Sequence, residues 1–370
     1  MFLLYFLILY LIIISIIFEN LPKSKQKSLV LIILSFGLLA FLAMFRSIDV
    51  GNDTYAYFGL FQQINSGIEI SAFSHRYETG FLYLNKFLSF FSDDYQVIPI
   101  FSSIYIYILV GRFIFKYSKN IGLSVILFFA LGYFDLSMSG IRQMMAIATL
   151  LLSYEALIKN KKFSFFFTVL LATSFHNAAV IFLLAYPLIN SKIKRKHKIS
   201  IVFLAGAINL TLPIILSYIT LFLPKYSSYL DSTYFDGTLR FATVVLILMN
   251  LTLYVLGESI NSFYLKNNID EGLREKDTLN KRNLTSLFIF LSIVFLFLSI
   301  NGTILSRFTN IFGIFMIVYL PNELVKIKNL NLKAITVSSV TIVLMTYLII
   351  EQVYRPEWQS TYPYSFFFLR

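Results

Sequence analysis

Apolar runs of roughly 17 to 25 residues recur along the whole chain, separated by short polar loops, and a run of that length crosses the hydrocarbon core of a bilayer as a helix. Only helices and closed barrels satisfy their own backbone in lipid. Across 370 residues, 58% are hydrophobic and 14% charged, with a mean hydropathy of +0.75. A soluble domain usually carries about a quarter charged residues. The expected fold is therefore an all-α, polytopic integral membrane protein. Spans are read at 2–18, 29–45, 97–115, 121–135, 142–158, 199–223, 240–258, 284–300, 304–322 and 334–352, about ten in all. The first lacks a basic leader and a small-residue cleavage site and ends in Phe18, Glu19 and Asn20, so it is read as a retained helix.

The net charge of +12 does not read as a nucleic-acid footprint, because the bases are scattered over short loops. Membrane orientation accounts for them. Lys23, Lys25 and Lys27, then Lys116 and Lys119, then Lys159, Lys161 and Lys162 alternate with base-poor loops, which places these groups in the cytoplasm. The N-terminus and a polar insert, 46–94, then fall outside. Lys192, Lys194, Arg195, Lys196 and Lys198 also favour the cytoplasm, although a single apolar stretch separates them from Lys162. A re-entrant or short helical hairpin over 163–190, turning at Ser174 to Asn177 with His176 at its tip, removes the conflict. That gives 11 to 12 helical segments, both termini outside, an exterior loop at 224–239 and a cytoplasmic loop at 261–283, all in one transmembrane domain. With no cysteine, disulfides, thiolate metal sites and a cysteine nucleophile are excluded.

Ionisable residues beside or within a membrane are functional candidates. Arg46, Arg142 and Arg307 lie near exterior span ends, and arginine grips phosphate through two parallel hydrogen bonds. The competing reading is that each reaches for a lipid headgroup. Gln143 follows Arg142 directly. His176 carries an imidazole, a group suited to proton transfer near neutrality, or it is a packing residue. Asp49 and Asp53 in RSIDVGNDTYAYF, and Glu78 in HRYETGF, are either helix caps or carboxylates that orient an arginine or accept a proton. Tyr55, Arg76 and Asp236 are candidate sugar contacts, Asp236 within the aromatic-acidic stretch PKYSSYLDSTYFDGT. Nothing in the sequence has a defined metal-ligand spacing, and no cofactor is expected.

Taken together, Arg46 with VGNDTYAYF, Glu78 with GFLYLN, IRQMMAIA at Arg142, FHNAAV at His176, Arg307 ahead of Leu320 and Pro321, and the terminal YPYSFF resemble the EpsG family of bacterial membrane proteins, akin in role to Wzy polymerases. The resemblance implies joining of oligosaccharide repeat units at the outer face of the cytoplasmic (inner) membrane, with undecaprenyl pyrophosphate as carrier. The lipid-linked oligosaccharide would be both donor and acceptor, and a flippase and a chain-length regulator would be partner proteins. In such a transfer, Arg142, Arg307 and Arg46, with Gln143, are expected on the pyrophosphate. His176 or Asp53 is expected on the acceptor hydroxyl, with Glu78 and Asp49 orienting, in a metal-independent reaction. Two rivals stand beside it. A flippase or exporter of lipid-linked glycan needs polar groups open to both faces in turn, and a sugar O-acetyltransferase needs a site facing the cytoplasm.

Overall fold

The structure is a computed structural model that describes residues 1–22, 24–189, 191, 193, 195–222, 241–267, 276–300 and 305–369. The described residues are helical throughout apart from loops and one isolated bridge, Arg46 to Phe366. The helices, in chain order, are α1 (Phe2–Asn20), α2 (Lys25–Met44), α3 (Thr54–Asn65), α4 (Thr79–Ser89), α5 (Val97–Tyr117), α6 (Ile121–Ala130), α7 (Tyr133–Ser139) and α8 (Ile141–Ile158). They continue with α9 (Lys162–Phe175), α10 (Ala185–Leu188), α11 (Arg195–Phe222), α12 (Phe241–Asn267), α13 (Lys276–Leu298), α14 (Ser306–Gly313), α15 (Met316–Leu324) and α16 (Leu330–Tyr354). Among the described residues, seven helices are long and apolar enough to span a membrane, or eight if one bent pair is a single span. The protein is a multi-pass membrane protein.

Two of the expected spans are not single rods. The run 121–135 divides into α6 and α7, inclined at 51° to one another. The cause is local: Gly132 takes a left-handed conformation, φ 77°, that a residue with a side chain rarely adopts. The run 304–322 divides into α14 and α15. At Ser174 to Asn177, where a hairpin turn is expected, the helix is interrupted. Helix α9 stops at Phe175, His176 is extended at φ −155°, ψ 119°, and the chain continues in 3₁₀ turns from Asn177 to Leu184. The 224–239 loop, with Asp236, lies outside the described residues.

The chain forms two compact units, Met1–Val180 with Leu324–Arg370, and Ile181–Glu323. In the first, α8 is wrapped on nearly all sides: Ile141, Met144, Met145 and Ile147 are fully enclosed. A helix apolar around its whole circumference belongs at the centre of a bundle, and α5, α7 and α9 pack around it. Helix α2 lies on α5, and α6 contacts α1, α2 and α16. The polar insert folds into α3, a 3₁₀ turn over Ile70–Phe73, and α4, with α4 seated on α9.

The C-terminal segment is a strap over the start of that insert. Ser47 N–H donates to the Ser365 carbonyl at 2.9 Å, Gly51 N–H to Ser360 at 2.8 Å, and Phe367 N–H to Phe45 at 3.1 Å. The Asn52 amide donates to the Trp358 carbonyl, and the Tyr364 hydroxyl to that of Leu42 at 2.7 Å.

In the second unit, Phe288 lies 5.4 Å from Phe182 and 4.7 Å from Phe315, ring centre to ring centre, in an aromatic core. Arg282 on α13 pairs with Glu258 on α12 at 2.6 Å and with Glu323 on α15 at 3.1 Å, tying three helices together.

Candidate functional site

Helix α4 can approach α9 closely because Gly80 has no side chain. A Cβ there would stand 2.7 Å from the Ser174 carbonyl oxygen. The contact sets Glu78, two residues before Gly80, beside His176, two residues after Ser174. Glu78 occupies the N-cap position of α4, yet its side chain makes no capping bond. Its Oε1 instead accepts from His176 Nδ1 and from the Asn177 backbone N–H, both at 3.1 Å. Its Oε2 accepts from Arg142 Nη1. Arg142 is the second residue of α8, so the positive end of that helix dipole faces the same place.

The side chains of Glu78, His176 and Arg142 are only 7%, 9% and 18% exposed. Burial pushes the Glu78 carboxyl up, but the His176 hydrogen bond, the Arg142 charge and the Asn177 N–H outweigh it and hold the group at about 2. Glu78 is thus an ionised acceptor at neutral pH. It follows that Nδ1 of His176 carries the proton in their shared bond, which leaves Nε2 as the ring atom able to accept one.

Arg142 is also oriented on its other side. Its Nε–H donates to the Tyr57 hydroxyl at 3.3 Å, and that hydroxyl donates to Asp53 at 3.0 Å. Burial pushes the Tyr57 hydroxyl up, with Arg142 opposing, so Tyr57 stays a neutral donor. The guanidinium also lies over the rings of Tyr77 at 5.0 Å and Tyr57 at 5.6 Å, a cation-π arrangement that fixes its plane. The assembly runs Asp53, Tyr57, Arg142, Glu78, His176, with the Arg142 and His176 side chains held on opposite oxygens of one carboxylate.

The structure brings Asp53, Glu78, Arg142 and His176 together from the set expected on sequence. Asp53 is at the N-cap position of α3 but makes no side-chain cap, and it is exposed. Gln143 is buried beside Arg142. Arg46 is placed differently from expectation. It is 1% exposed, and its guanidinium donates to the carbonyls of Ala43 and, at 3.2 Å, of Met138. Those oxygens lie near the ends of α2 and α7, where carbonyls lack partners within their own helix, so Arg46 holds two helix ends instead of presenting a face to a ligand. Asp49 is exposed and accepts from Ser47 at 3.4 Å. Tyr55 is 68% exposed, and Arg76 is exposed over the ring of Tyr77 at 5.4 Å. Arg307 lies on α14, half-buried, in the second unit; Asp236 lies outside the described residues.

Sequence reading missed Tyr57, the Asn177 N–H and the aromatic floor under Arg142. The signal for Tyr57 was available: it follows Asp53 by four residues on a helix, which puts both on one face, whereas Tyr55 points elsewhere.

A family model described as EpsG family matches residues 29–366. No curated protein and no solved structure matches the chain.

Proposed function

The chain belongs to the EpsG family, which is associated with polysaccharide synthesis at membranes, and from that premise we propose that it is a polymerase of lipid-linked oligosaccharide repeat units. It would act at the outer face of the bacterial cytoplasmic membrane, with a polyprenyl-pyrophosphate-linked glycan as donor and a second such glycan as acceptor. The observation that carries this reading is Glu78 bridging His176 to Arg142, which sets a base and an anion-binding group side by side in a poorly hydrated place.

In the proposed transfer, an acceptor sugar hydroxyl attacks the anomeric carbon of the donor. The new carbon–oxygen bond forms as the bond from that carbon to the pyrophosphate oxygen breaks. The hydroxyl proton passes to His176 Nε2, and Glu78 stabilises the imidazolium that results, as a carboxylate does for a catalytic histidine elsewhere. Negative charge grows on the departing pyrophosphate, and Arg142 together with the N-terminus of α8 stabilises it without first reorganising solvent. Asp53 orients Arg142 through Tyr57. Tyr55 and Arg76, exposed on the insert, are assigned to sugar. The scheme requires no metal ion, so chain extension should continue in EDTA; loss of activity restored by Mg²⁺ would overturn that part.

Glycan length in cells lacking the gene tests the reaction class. A polymerase leaves single repeat units on lipid at the outer face. Accumulation of units facing the cytoplasm would replace the proposal with a flippase, and full-length glycan lacking acetyl groups would replace it with an acetyltransferase.

A further inference from the structure

At the opposite end of the first unit from Glu78 lies a cavity of about 420 Å³, within the ~300–1,000 Å³ range of small-ligand sites. It is formed where α1 ends, α2, α6 and α16 begin, and α5 finishes. Helix α2 separates it from Arg46 by 20 residues, roughly 30 Å at 1.5 Å per residue. Lys25, Lys27, Lys119 and Lys333 line it, and Glu19 is the acid among its lining residues. Glu19 accepts from Asn120 at 3.2 Å and pairs loosely with Lys333 at 3.6 Å, and the cavity keeps a surplus of positive charge. Lys25 has no carboxylate within ion-pair distance among the described residues.

Two further features point to an occupant. Ser15 lines the cavity and is 7% exposed, and its buried hydroxyl has no hydrogen-bond partner; a hydroxyl left this way is destabilising unless a ligand satisfies it. Beside the polar Ser24, Ser28, Ser118 and Asn120, part of the remaining wall is apolar, supplied by Phe18, Leu31 and Phe115, and it continues from spans α1, α2 and α5. Lys25 and Lys27 open a 20-residue apolar helix, which places them at headgroup level. A free phosphate compound would satisfy the lysines and Ser15 but would leave the apolar wall uncovered. A phospholipid satisfies both.

We propose that this cavity binds a phosphate-bearing anion, the headgroup of an anionic phospholipid, with the start of its acyl chains against Phe18, Leu31 and Phe115. The bound lipid staples α1 and α2 to α6 and α16. Basic pockets between membrane helices recognise anionic headgroups through the same combination of charge and depth. The charge pattern of the loops places this face in the cytoplasm, so the lipid comes from the inner leaflet.

The test uses full-length protein purified in detergent, its thermal unfolding followed during titration with dioctanoyl-phosphatidylglycerol, dioctanoyl-phosphatidylcholine or inorganic phosphate. Phosphatidylglycerol raises the midpoint saturably and phosphatidylcholine does not. In Lys25→Gln/Lys119→Gln/Lys333→Gln the apparent affinity falls by roughly tenfold or more. The matching triple Lys→Arg variant keeps binding, and Lys161→Gln/Lys162→Gln, which removes exposed charge elsewhere, leaves it unchanged. Should the triple Gln variant not fold, the single Lys25→Glu at an exposed position carries the same expectation. Phosphate that stabilises as strongly as the lipid, and competes with it, retains the anion site and overturns the lipid as its source. Equal stabilisation by both lipids with phosphate inert, or wild-type affinity in the Gln or Glu variants, overturns the proposal.

Discussion

Replacing Glu78 by Gln keeps the shape of the side chain and removes its charge, leaving Arg142 and His176 without their shared counter-ion. The magnitude follows from the carboxyl itself, which the site lowers from an ordinary 4.5 to about 2. A difference of that size corresponds to roughly 3 kcal/mol of native-state stabilisation when the group is ionised in both states. A carboxylate lowered on folding contributes fully above its unfolded value and loses the contribution as pH falls toward its folded one. The stabilisation should therefore be about 3 kcal/mol at pH 7 and only about 1 kcal/mol at pH 3. The assay is equilibrium unfolding of the detergent-solubilised full-length protein, wild type against Glu78→Gln, from pH 7 down to pH 3. The variant should be less stable at pH 7, and the gap should close by more than half on acidification. A gap below ~1 kcal/mol at pH 7, or one of the same size at both pH values, would refute the bridging role, because an exposed and weakly paired carboxylate behaves that way.

Four other substitutions separate the roles of neighbouring residues. Arg142→Lys should reach the membrane at normal level yet lose at least ~100-fold in chain extension, since a lysine cannot donate to Glu78 and Tyr57 together in one plane; glycan length in complemented cells reads this. Arg46→Ala should act on folding, lowering the amount of protein in the membrane by quantitative immunoblot, because the Ala43 carbonyl loses its donor at about 1–3 kcal/mol and the Met138 carbonyl keeps only Thr54, at 3.4 Å; normal protein level with no activity would restore Arg46 to the substrate. Asp53→Asn should keep most activity, within about tenfold, because Asp53 acts through Tyr57 and proton transfer is worth ~10²–10⁴; complete loss would make Asp53 the base. Gly80→Ala should push α4 off α9, draw Glu78 away from His176 and reduce chain extension, and a wild-type rate would mean that this approach is not needed.

The spans were legible because the membrane imposes one strong rule on sequence: α1, α2, α5 and α8 each follow from a predominantly apolar run of the required length. The break at His176 was legible for the converse reason, since small and polar residues replaced Leu and Ile midway and the charges at its two ends conflicted. The kink at Gly132 escaped because one glycine in an apolar run does not disclose its backbone angle. The strap of the C-terminal segment escaped because its bonds reach residues about 300 positions away, many of them through backbone atoms, and leave no periodic trace. Glu155 shows the limit of local reading. It precedes Lys159 by one helical turn, yet it pairs with Arg112 at 2.8 Å and Lys116 at 2.5 Å on another helix. The same limit governs the site. Its residue types could be picked out, but that Glu78 bridges Arg142 and His176, and that Arg46 is committed to backbone carbonyls, depends on how α4, α8 and α9 pack.

The measurement closest to the central claim is the length distribution of lipid-linked glycan in cells whose only copy of the gene encodes His176→Gln, at wild-type level in the membrane. With no Nε2 to take the acceptor proton, single repeat units should remain at the outer face with no ladder. A ladder of wild-type length would contradict it and return His176 to a packing role.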